Sequence, residues 1–311
     1  MEKVVEFEQV IERCCGIDVH KSLLVATIRG TGIKEETREY GAFTEDIEKL
    51  GKWLKDNKIT HIAMESTGVY WKPVFNILEA DFEIILVNAR HIKNVPGHKT
   101  DKKDSRWIAK LLHSGLLKGS FIPKLSIREL RDLTRYRKKL IEQIASEKNR
   151  IQKILEDGNI KLSSVVSNMS GVVATKIVDD LISGEEDIEK LVLHRHGKMQ
   201  ASEADLAKSL VGKLTAHHRF LLQMIKKSIK EKELLIAELD SRIDEHSQAN
   251  ELELDRELLA TIPGVGKEGA ECILAEIGND MEAFATEQHL ASWAGICPGN
   301  NESAGKKKVP A

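Results

Sequence analysis

The hydrophobic and polar positions of residues 13–88 follow strand and helix periods in turn. Apolar, β-branched runs predict strands at residues 15–19, 23–28, 40–43, 60–64 and 82–87. Apolar residues on one helical face predict helices at residues 45–55, with Thr44 as the N-cap, and at residues 69–78. Strands and helices in this order indicate a mixed β-sheet covered by helices.

After Pro96-Gly97 the pattern becomes helical. A helix is predicted at residues 101–114, and a longer one opens at the Ser-x-x-Glu capping box of Ser126 and ends near Gly158. A second long helix spans the apolar repeat of residues 225–243. The heptad spacing of both favours an antiparallel coiled-coil pair or a seam between two copies of the chain, and a plain helical bundle core would give the same pattern.

The last segment joins two helical patterns through the turn Pro263-Gly-Val-Gly266. Glycines at such a turn let backbone N–H groups approach a phosphate, so Gly264, Gly266 and Lys267 are candidate contacts to a nucleic-acid backbone. This is the form of a helix-hairpin-helix, and a simple interhelical turn has the same form. The chain is therefore divided into an α/β domain at residues 1–124, a mainly α coiled-coil region at residues 125–250 and a third domain at residues 251–311.

Composition excludes several classes of protein. The 311 residues carry 47 Lys and Arg against 49 Asp and Glu, and no stretch approaches the apolar length that a membrane helix needs. The N-terminus lacks the apolar core of a signal peptide. The four cysteines have no Cys-x-x-Cys spacing, so neither a zinc knuckle nor a disulfide framework is indicated. We expect a cytoplasmic protein without a membrane partner.

The near-neutral total charge hides a segregation of charges. Residues 88–153 contain 18 Lys and Arg against 6 Asp and Glu. Such a basic block indicates a surface for a polyanion, with nucleic acid the leading partner, although a solvated helix face beside acidic neighbours would also explain it. The candidate contacts to backbone phosphates, with salt-sensitive affinity, are Arg135, Arg137, Lys138 and Lys139.

Four acidic residues are placed where they could hold metal ions. Asp18 follows one apolar strand and Glu65 ends another, while Asp101 and Asp104 lie three residues apart at the start of a predicted helix. Such a cluster suits Mg²⁺ or Mn²⁺, which prefer oxygen ligands, and paired ions assist phosphoryl transfer. Without metal the carboxylates would repel one another unless neighbouring cations offset them. The neighbouring cations, which are also candidate nucleic-acid contacts, are Lys102, Lys103 and Arg106.

The sequence around these acids resembles a known family. Gly16-Ile-Asp-Val-His-Lys, Met64-Glu-Ser-Thr-Gly-Val-Tyr-Trp, Asn88-Ala-Arg and Lys99-Thr-Asp-Lys-Lys-Asp-Ser are similar to the N-terminal domain of the DEDD transposases of insertion-sequence family 110, relatives of the Piv DNA invertase. Ile262-Pro-Gly-Val-Gly and the segment from His289 to Lys306 resemble that family's C-terminal transposase domain.

The resemblance implies an RNase H-like (RuvC-type) α/β domain with Asp18, Glu65, Asp101 and Asp104 as its acidic tetrad. It also implies a serine nucleophile in the C-terminal domain, placed here at Ser303. Members of the family are recombinases that excise and insert their element, and some are directed by a bridge RNA. The implied partners are therefore the DNA of element ends and target, a guide RNA and further copies of the chain in a dimer or tetramer. The implied location is the nucleoid of a prokaryotic cytoplasm.

One departure and three alternatives qualify this interpretation. The family usually continues past Ser-Ala-Gly-Lys with a basic, Gly-rich segment, whereas this sequence stops at Ala311, which predicts a truncated copy whose activity is open. A DEDD-type nuclease or junction resolvase would use the same metal-binding acids but would not need the C-terminal serine. A truncated, non-catalytic oligomer that binds nucleic acid is a second alternative. The third, a nucleotide-binding loop of the sugar kinase type at residues 16–21, fits poorly because His20 and Lys21 follow the aspartate.

Overall fold

A computed structural model describes residues 11–66, 68–88, 104–117, 119–197 and 199–296, and the backbone of residues 302–303 and 306–307. The chain divides into two compact units, Met1–Ile122 and Pro123–Ala311. Each unit has hydrophobic clusters of its own. Within the described ranges, no helix is long and apolar enough to cross a membrane.

The first unit is built on a mixed five-stranded sheet. Its strands are β1 (Arg13–Val19), β2 (Leu23–Gly30), β3 (Glu36–Gly41), β4 (His61–Glu65) and β5 (Glu83–Val87), in the spatial order β3-β2-β1-β4-β5. β1 runs antiparallel to β2 and parallel to β4, while β5 runs parallel to β4. The predicted mixed sheet is confirmed, and its finer RNase H-like assignment stays a prediction.

Helices cover both faces of this sheet. α1 (Thr44–Asp56) and α2 (Trp71–Leu78) share one hydrophobic cluster with Cys15, Ile17, Ile62 and Met64. α3 (Asp104–His113) shares another with Cys14, Ala63 and Val87. Because side chains alternate along a strand, these two residue sets mark the two faces.

Several predicted boundaries were wrong or fall outside the described residues. The third strand lies at Glu36–Gly41 instead of residues 40–43; it is polar and largely exposed, so no apolar run marks it. Thr44 is the first helical residue of α1, and Phe43 is its N-cap. α2 begins at Trp71 instead of residue 69. The predicted start of the next helix at residues 101–103 lies outside the described residues.

Two long helices, α4 (Leu125–Asp157) and α8 (Ala216–Ala249), form the frame of the second unit. They pack antiparallel: His246 Nε2 lies 2.7 Å from the Ser126 carbonyl at one end, and His218 Nε2 lies 2.9 Å from an Asp157 carboxylate oxygen at the other. The predicted pair therefore forms within one chain, while a coiled coil and an oligomer seam stay predictions. The capping box at Ser126 was wrong, because α4 begins at Leu125 after Lys124, without a side-chain cap.

Three shorter helices lie between the two long helices in the sequence. They are α5 (Val172–Ser183), α6 (Ile188–Val192) and α7 (Glu203–Ser209). Their apolar residues bury Leu162, Ile177, Leu206 and Leu222 in one cluster. These divisions were missed from the sequence, although Gly184 ends α5 in a left-handed conformation and the side chains of Asp187 and Ser202 cap α6 and α7.

The C-terminal region of the second unit contains α9 (Glu253–Ala260), α10 (Lys267–Ile277) and α11 (Glu287–Trp293), then the two-residue strands β6 (Glu302–Ser303) and β7 (Lys306–Lys307). The predicted turn between two helices is confirmed: Gly264 has a φ of 86°, and α10 begins directly after its N-cap, Gly266. Leu274 of α10 shares a cluster with Ile127 and Ile243 of the long helices.

Candidate metal centre and nucleic-acid contacts

Two of the predicted acids lie at the ends of neighbouring strands. β1 and β4 are parallel and paired up to Ile17 and Met64. The next residue on each strand is the predicted acid, Asp18 on β1 and Glu65 on β4. Since adjacent strands lie about 5 Å apart, the register brings Asp18 and Glu65 together at one edge of the sheet.

The two acids also share a face of the sheet. Cys14 on β1 and Ala63 on β4 belong to the hydrophobic cluster that α3 covers. Side chains repeat every second residue, so Asp18 and Glu65 lie on that same face. The apolar layer beneath α1 and α2 takes the intervening residues, which leaves the carboxylates out of the main core.

α3 approaches β1 at a glycine. A side-chain carbon placed on Gly16 would lie 2.3 Å from both the Ser105 carbonyl oxygen and the Ala109 nitrogen. On the same side, the Cys14 thiol donates to the Ala109 carbonyl over 3.4 Å. The helix backbone therefore rests directly on the strand at Gly16, and only a glycine leaves room for it.

The direction of α3 brings a third acid to the same edge. Ser105, in its first turn, lies over Gly16, while His113, in its last turn, lies 2.7 Å from the Ile11 carbonyl before β1 begins. The helix thus runs antiparallel to β1. Its first residue, Asp104, is therefore directed toward the edge where β1 and β4 end.

Buried hydroxyl groups fix the first turn of α3 to the sheet, a feature that sequence reasoning missed. Ser105 Oγ lies 2.8 Å from Thr27 Oγ1 on β2, and Thr27 Oγ1 lies 2.9 Å from Thr37 Oγ1 on β3. Ser105 and Thr27 are both buried. Arg106, a predicted nucleic-acid contact, donates from Nε to Thr37 over 3.2 Å and is exposed. The available signal was Thr27, a polar residue inside an otherwise apolar strand.

The donor set at this edge is made of carboxylates. Asp18 lies 3.1 Å from Nε2 of His20, which is exposed. Carboxylate oxygens suit a hard cation such as Mg²⁺ or Mn²⁺, so the residues present fit the predicted ion in chemistry. In the described part of the chain, no three His, Cys, Asp or Glu side chains are arranged to hold an ion as they stand. Three predicted site residues, Asp101, Lys102 and Lys103, lie outside the described residues.

Arg137 does not face solvent, and the prediction that it contacts phosphate was wrong. Its side chain is 4% exposed, and Nη1 lies 2.7 Å from carboxylate oxygens of both Asp240 and Glu271. Burial alone would lower the pKa of Arg137, but the hydrogen bonds to the two carboxylates outweigh it and raise that pKa. Its positive charge is therefore balanced by two carboxylates inside the second unit.

The other three predicted contacts on α4 are exposed. Arg135 donates from Nε and Nη2 to the two carboxylate oxygens of Glu276, each over 2.8 Å, and this pairing raises the pKa of Arg135. Lys139 lies 3.6 Å from Glu142. Lys138 makes no ion pair within the described ranges. Of these residues, Lys138 and Lys139 are the freer to meet a phosphate.

The backbone of the turn before α10 is accessible to a ligand, but the side chain of Lys267, which follows the turn, is held in an ion pair. A side-chain carbon at Gly264 or Gly266 would meet no atom within 4 Å. Lys267 Nζ lies 2.7 Å from an Asp244 carboxylate oxygen. The hydrogen bond from Lys267 lowers the pKa of Asp244. The backbone of the turn is thus accessible, while the ammonium group is held by an acid of α8.

The predicted nucleophile belongs to the second unit. Ser303 pairs with Lys306 in the antiparallel strands β6 and β7. Asp18, Glu65 and Asp104 belong to the first unit. The described backbone at Ser303 is a short hairpin strand rather than a helix.

Comparison with known proteins gives matches at both ends of the chain. The family model of the IS110 DEDD transposase, described as "Transposase", matches residues 15–160, and the model described as "Transposase IS116/IS110/IS902 family" matches residues 256–310. Together they cover about two thirds of the chain.

Two curated proteins are similar over a short stretch. The pilin gene-inverting protein of Moraxella lacunata is 45% identical over 53 residues, which is 17% of this chain and 16% of that protein. The pilin gene-inverting protein of Moraxella bovis is 48% identical over 46 residues, which is 15% of this chain and 14% of that protein. The match therefore spans about one sixth of each relative.

Proposed function

This chain belongs to the IS110 family of transposases, and from that premise we propose that it is a DNA recombinase that excises and inserts a mobile element. The observation that carries the proposal is the placement of Asp18 and Glu65 on adjoining parallel strands. Both lie on the face covered by α3, the helix that Asp104 begins. Acidic side chains gathered at a strand edge suit phosphodiester chemistry.

The acids would act as ligands. Asp18, Glu65 and Asp104, with Asp101, would hold Mg²⁺ or Mn²⁺. When bound, such ions activate an attacking oxygen and stabilise the leaving oxygen of a phosphodiester. The buried bond between Ser105 and Thr27 supports this role because it fixes the helical turn that begins at Asp104.

Ser303 would act as the nucleophile. Its hydroxyl oxygen would form a bond to the phosphorus and break the bond to one sugar oxygen, and the serine proton would end on that leaving oxygen. One DNA end would then be joined covalently to the protein and could be passed to a second DNA strand. A pure nuclease would use water in place of the serine.

DNA is the expected partner, held by backbone contacts. The candidate residues that the structure leaves accessible are Arg106, Arg135, Lys138, Lys139, Gly264, Gly266 and Lys267, to which Lys102 and Lys103 are added from the sequence. The names of the two Moraxella relatives refer to inversion of a pilin gene, which is also a DNA rearrangement. A guide RNA and assembly into a dimer or tetramer belong to the same proposal.

A covalent-adduct assay tests this function. The full chain is incubated with Mg²⁺, labelled element-end and target DNA, and the flanking noncoding RNA, and adducts are separated under denaturing conditions. We expect an adduct with the wild type and none with Ser303→Ala, Asp18→Asn or Glu65→Gln. Glu83→Gln is the matched control, since Glu83 is exposed at the opposite end of the parallel strands and should leave the adduct unchanged.

The other outcomes separate the alternatives. Metal-dependent cleavage that persists in Ser303→Ala, without an adduct in any sample, would indicate a DEDD-type nuclease or resolvase. Salt-sensitive DNA binding with neither cleavage nor adduct would indicate a non-catalytic binding protein.

A further inference from the structure

A cavity of about 570 Å³ lies in the second unit between α4, α5 and α8. Its apolar lining comes from one residue of each helix and one of the loop before α5: Ile151, Val178, Ile229 and Met169. None of the described residues singled out from the sequence as a contact to DNA or metal lines this cavity, although Lys148 belongs to the basic block of residues 88–153. The cavity is open to solvent on one side, and its volume falls in the range of ligand sites.

Lysines surround this apolar lining. Lys148 of α4 and Lys226, Lys227 and Lys230 of α8 line the cavity, against one acid, Glu233, among the described residues that do so. Lys226 is bound to Asp179. The other three lysines make no ion pair within the described ranges. Their charges are therefore available to an anionic ligand.

A second cavity of about 420 Å³ continues the first. The two share Lys148, Met169 and Ser170. The second is lined on α4 by Asn149 and Gln152, and on the adjoining loop by three further hydroxyl and amide side chains, Ser163, Ser167 and Asn168. No Asp or Glu is among its described lining residues. The two cavities thus form one groove that offers positive charge, apolar contact and hydrogen-bond donors along its length.

We propose that this groove, between α4, α5 and α8, binds single-stranded nucleic acid. Lys148, Lys227 and Lys230 contact its phosphates, because compact ammonium groups that have no ion-pair partner among the described residues suit that backbone. An unpaired base enters against Ile151 and Met169, and the amides of the second cavity meet base edges. A duplex keeps its bases stacked inside and would leave the apolar lining without a partner.

The proposal rests on the proposed function in one respect, that nucleic acid is the partner, and it adds which form is bound and where. It does not depend on the acids of the first unit or on Ser303. Binding and strand cleavage are therefore separable measurements.

Fluorescence anisotropy on the full chain tests the groove. The probes are labelled oligonucleotides of single-stranded RNA, single-stranded DNA and duplex DNA, each titrated at several salt concentrations. The variant is Lys148→Gln/Lys227→Gln/Lys230→Gln. The control is Lys190→Gln/Lys208→Gln/Lys213→Gln, which removes three lysines of the same unit that line neither cavity. Circular dichroism and the melting temperature establish that both variants are folded.

We expect the groove variant to lose affinity for a single-stranded probe, with the slope of log affinity against log salt reduced by about two, since each phosphate contact on a single strand contributes roughly 0.7. The control should bind as the wild type does, and duplex binding should change less. A stronger effect on the RNA or on the DNA single strand identifies the source of the ligand.

Three results would overturn the proposal: equal affinities of the two triple variants, an equal loss for duplex and single strands, or no single-strand binding by the wild type. If cleavage and adducts fail while the groove effect holds, the recombinase function fails and the groove stands. If adducts form but the groove variant binds nucleic acid as the control does, the recombinase function stands and the groove proposal fails.

Discussion

At the scale of single residues, the side chain that is missing from Gly16 matters as much as the carboxylates nearby. The α3 backbone occupies the space that any larger residue would need. Gly16 therefore sets how closely the helix that begins at Asp104 lies on the strand that ends at Asp18. This packing role explains why the residue two positions before the predicted acid is a glycine.

We expect Gly16→Ala to destabilise the first unit by about 1–3 kcal/mol, because the added methyl overpacks a backbone contact that cannot shift freely. Urea unfolding followed by circular dichroism measures the change. Gly269→Ala is the control: a side-chain carbon there meets only Val265 Cγ1, at 3.5 Å, and alanine within α10 should be neutral or stabilising by about 0.5–1 kcal/mol. Equal stability of Gly16→Ala and the wild type would contradict the tight crossing.

The Cys14 thiol gives the first unit a dependence on alkaline pH. Burial raises the pKa of Cys14 from 9.0 to about 12, against a smaller lowering effect of Arg29. Above pH 9 the unfolded thiol loses its proton while the folded one keeps it, so the folded state binds more protons and stability falls as the pH rises toward 12. We expect the free energy of unfolding to fall less steeply between pH 8.5 and 10.5 in Cys14→Ala, measured by urea titration at each pH. Parallel slopes would refute this.

At the scale of elements, a buried ion pair joins helices that are distant in sequence. Glu271 of α10 is 1% exposed; it lies 2.7 Å from Arg137 of α4 and 3.4 Å from Arg256 of α9. Arg137 also binds Asp240 of α8. The inaccessible carboxylate of Glu271 therefore joins α10 to α4 and α9, and Arg137 extends the network to α8.

We expect Glu271→Ala to destabilise the second unit by about 3–5 kcal/mol, because Arg137 would keep only Asp240 and part of a buried charge would go unbalanced. Glu268→Ala removes an exposed carboxylate from the first turn of the same helix and should cost under about 1 kcal/mol. Chemical unfolding of both variants measures the difference. A cost for Glu271→Ala no larger than for Glu268→Ala would show that the network contributes little.

The elements also show what a sequence can and cannot predict here. Heptad spacing predicts α4 and α8 because burial of one helical face leaves a periodic trace. The same spacing places Arg137 on the buried face, between Leu130 and Ile144, but its charge led to the prediction of a phosphate contact. Its partners Asp240 and Glu271 are more than 100 residues away, so the sequence did not reveal them. The acids Asp18 and Glu65 could be predicted from their positions at strand ends. The anchoring of α3 was not predicted: Thr27 stands out as a polar residue in an apolar run, but nothing in the sequence identifies Ser105 as its partner.

At the scale of the whole molecule, two units with separate cores should respond separately to ligands. We expect calorimetry to show two transitions, and Mg²⁺ or Mn²⁺ to raise the melting temperature of the first unit alone, since an ion that binds only the folded state stabilises it. In Asp18→Asn this shift should be lost, and the metal-free transition should rise because one of the neighbouring negative charges is gone.

Glu83→Gln should keep the full metal-induced shift, since Glu83 lies away from the acidic edge. Equal shifts of both transitions with metal, or a shift that survives in Asp18→Asn, would place the ion elsewhere. This measurement needs no DNA and is therefore independent of whether the chain transfers strands.

Because side chains alternate between the two faces of β1, two residues share a face only when an odd number of residues lies between them. Gly16, beneath α3, and Asp18, at the acidic edge, are separated by an even step and share a face. One residue inserted or deleted between them would turn the carboxylate into the apolar layer with Ile17 and would aim an apolar side chain at the edge. A change of chemistry at Ile17 would alter packing and leave the carboxylate aimed as before. Between Gly16 and Asp18 the strand is therefore open to substitution at Ile17 and closed to insertion or deletion of a single residue.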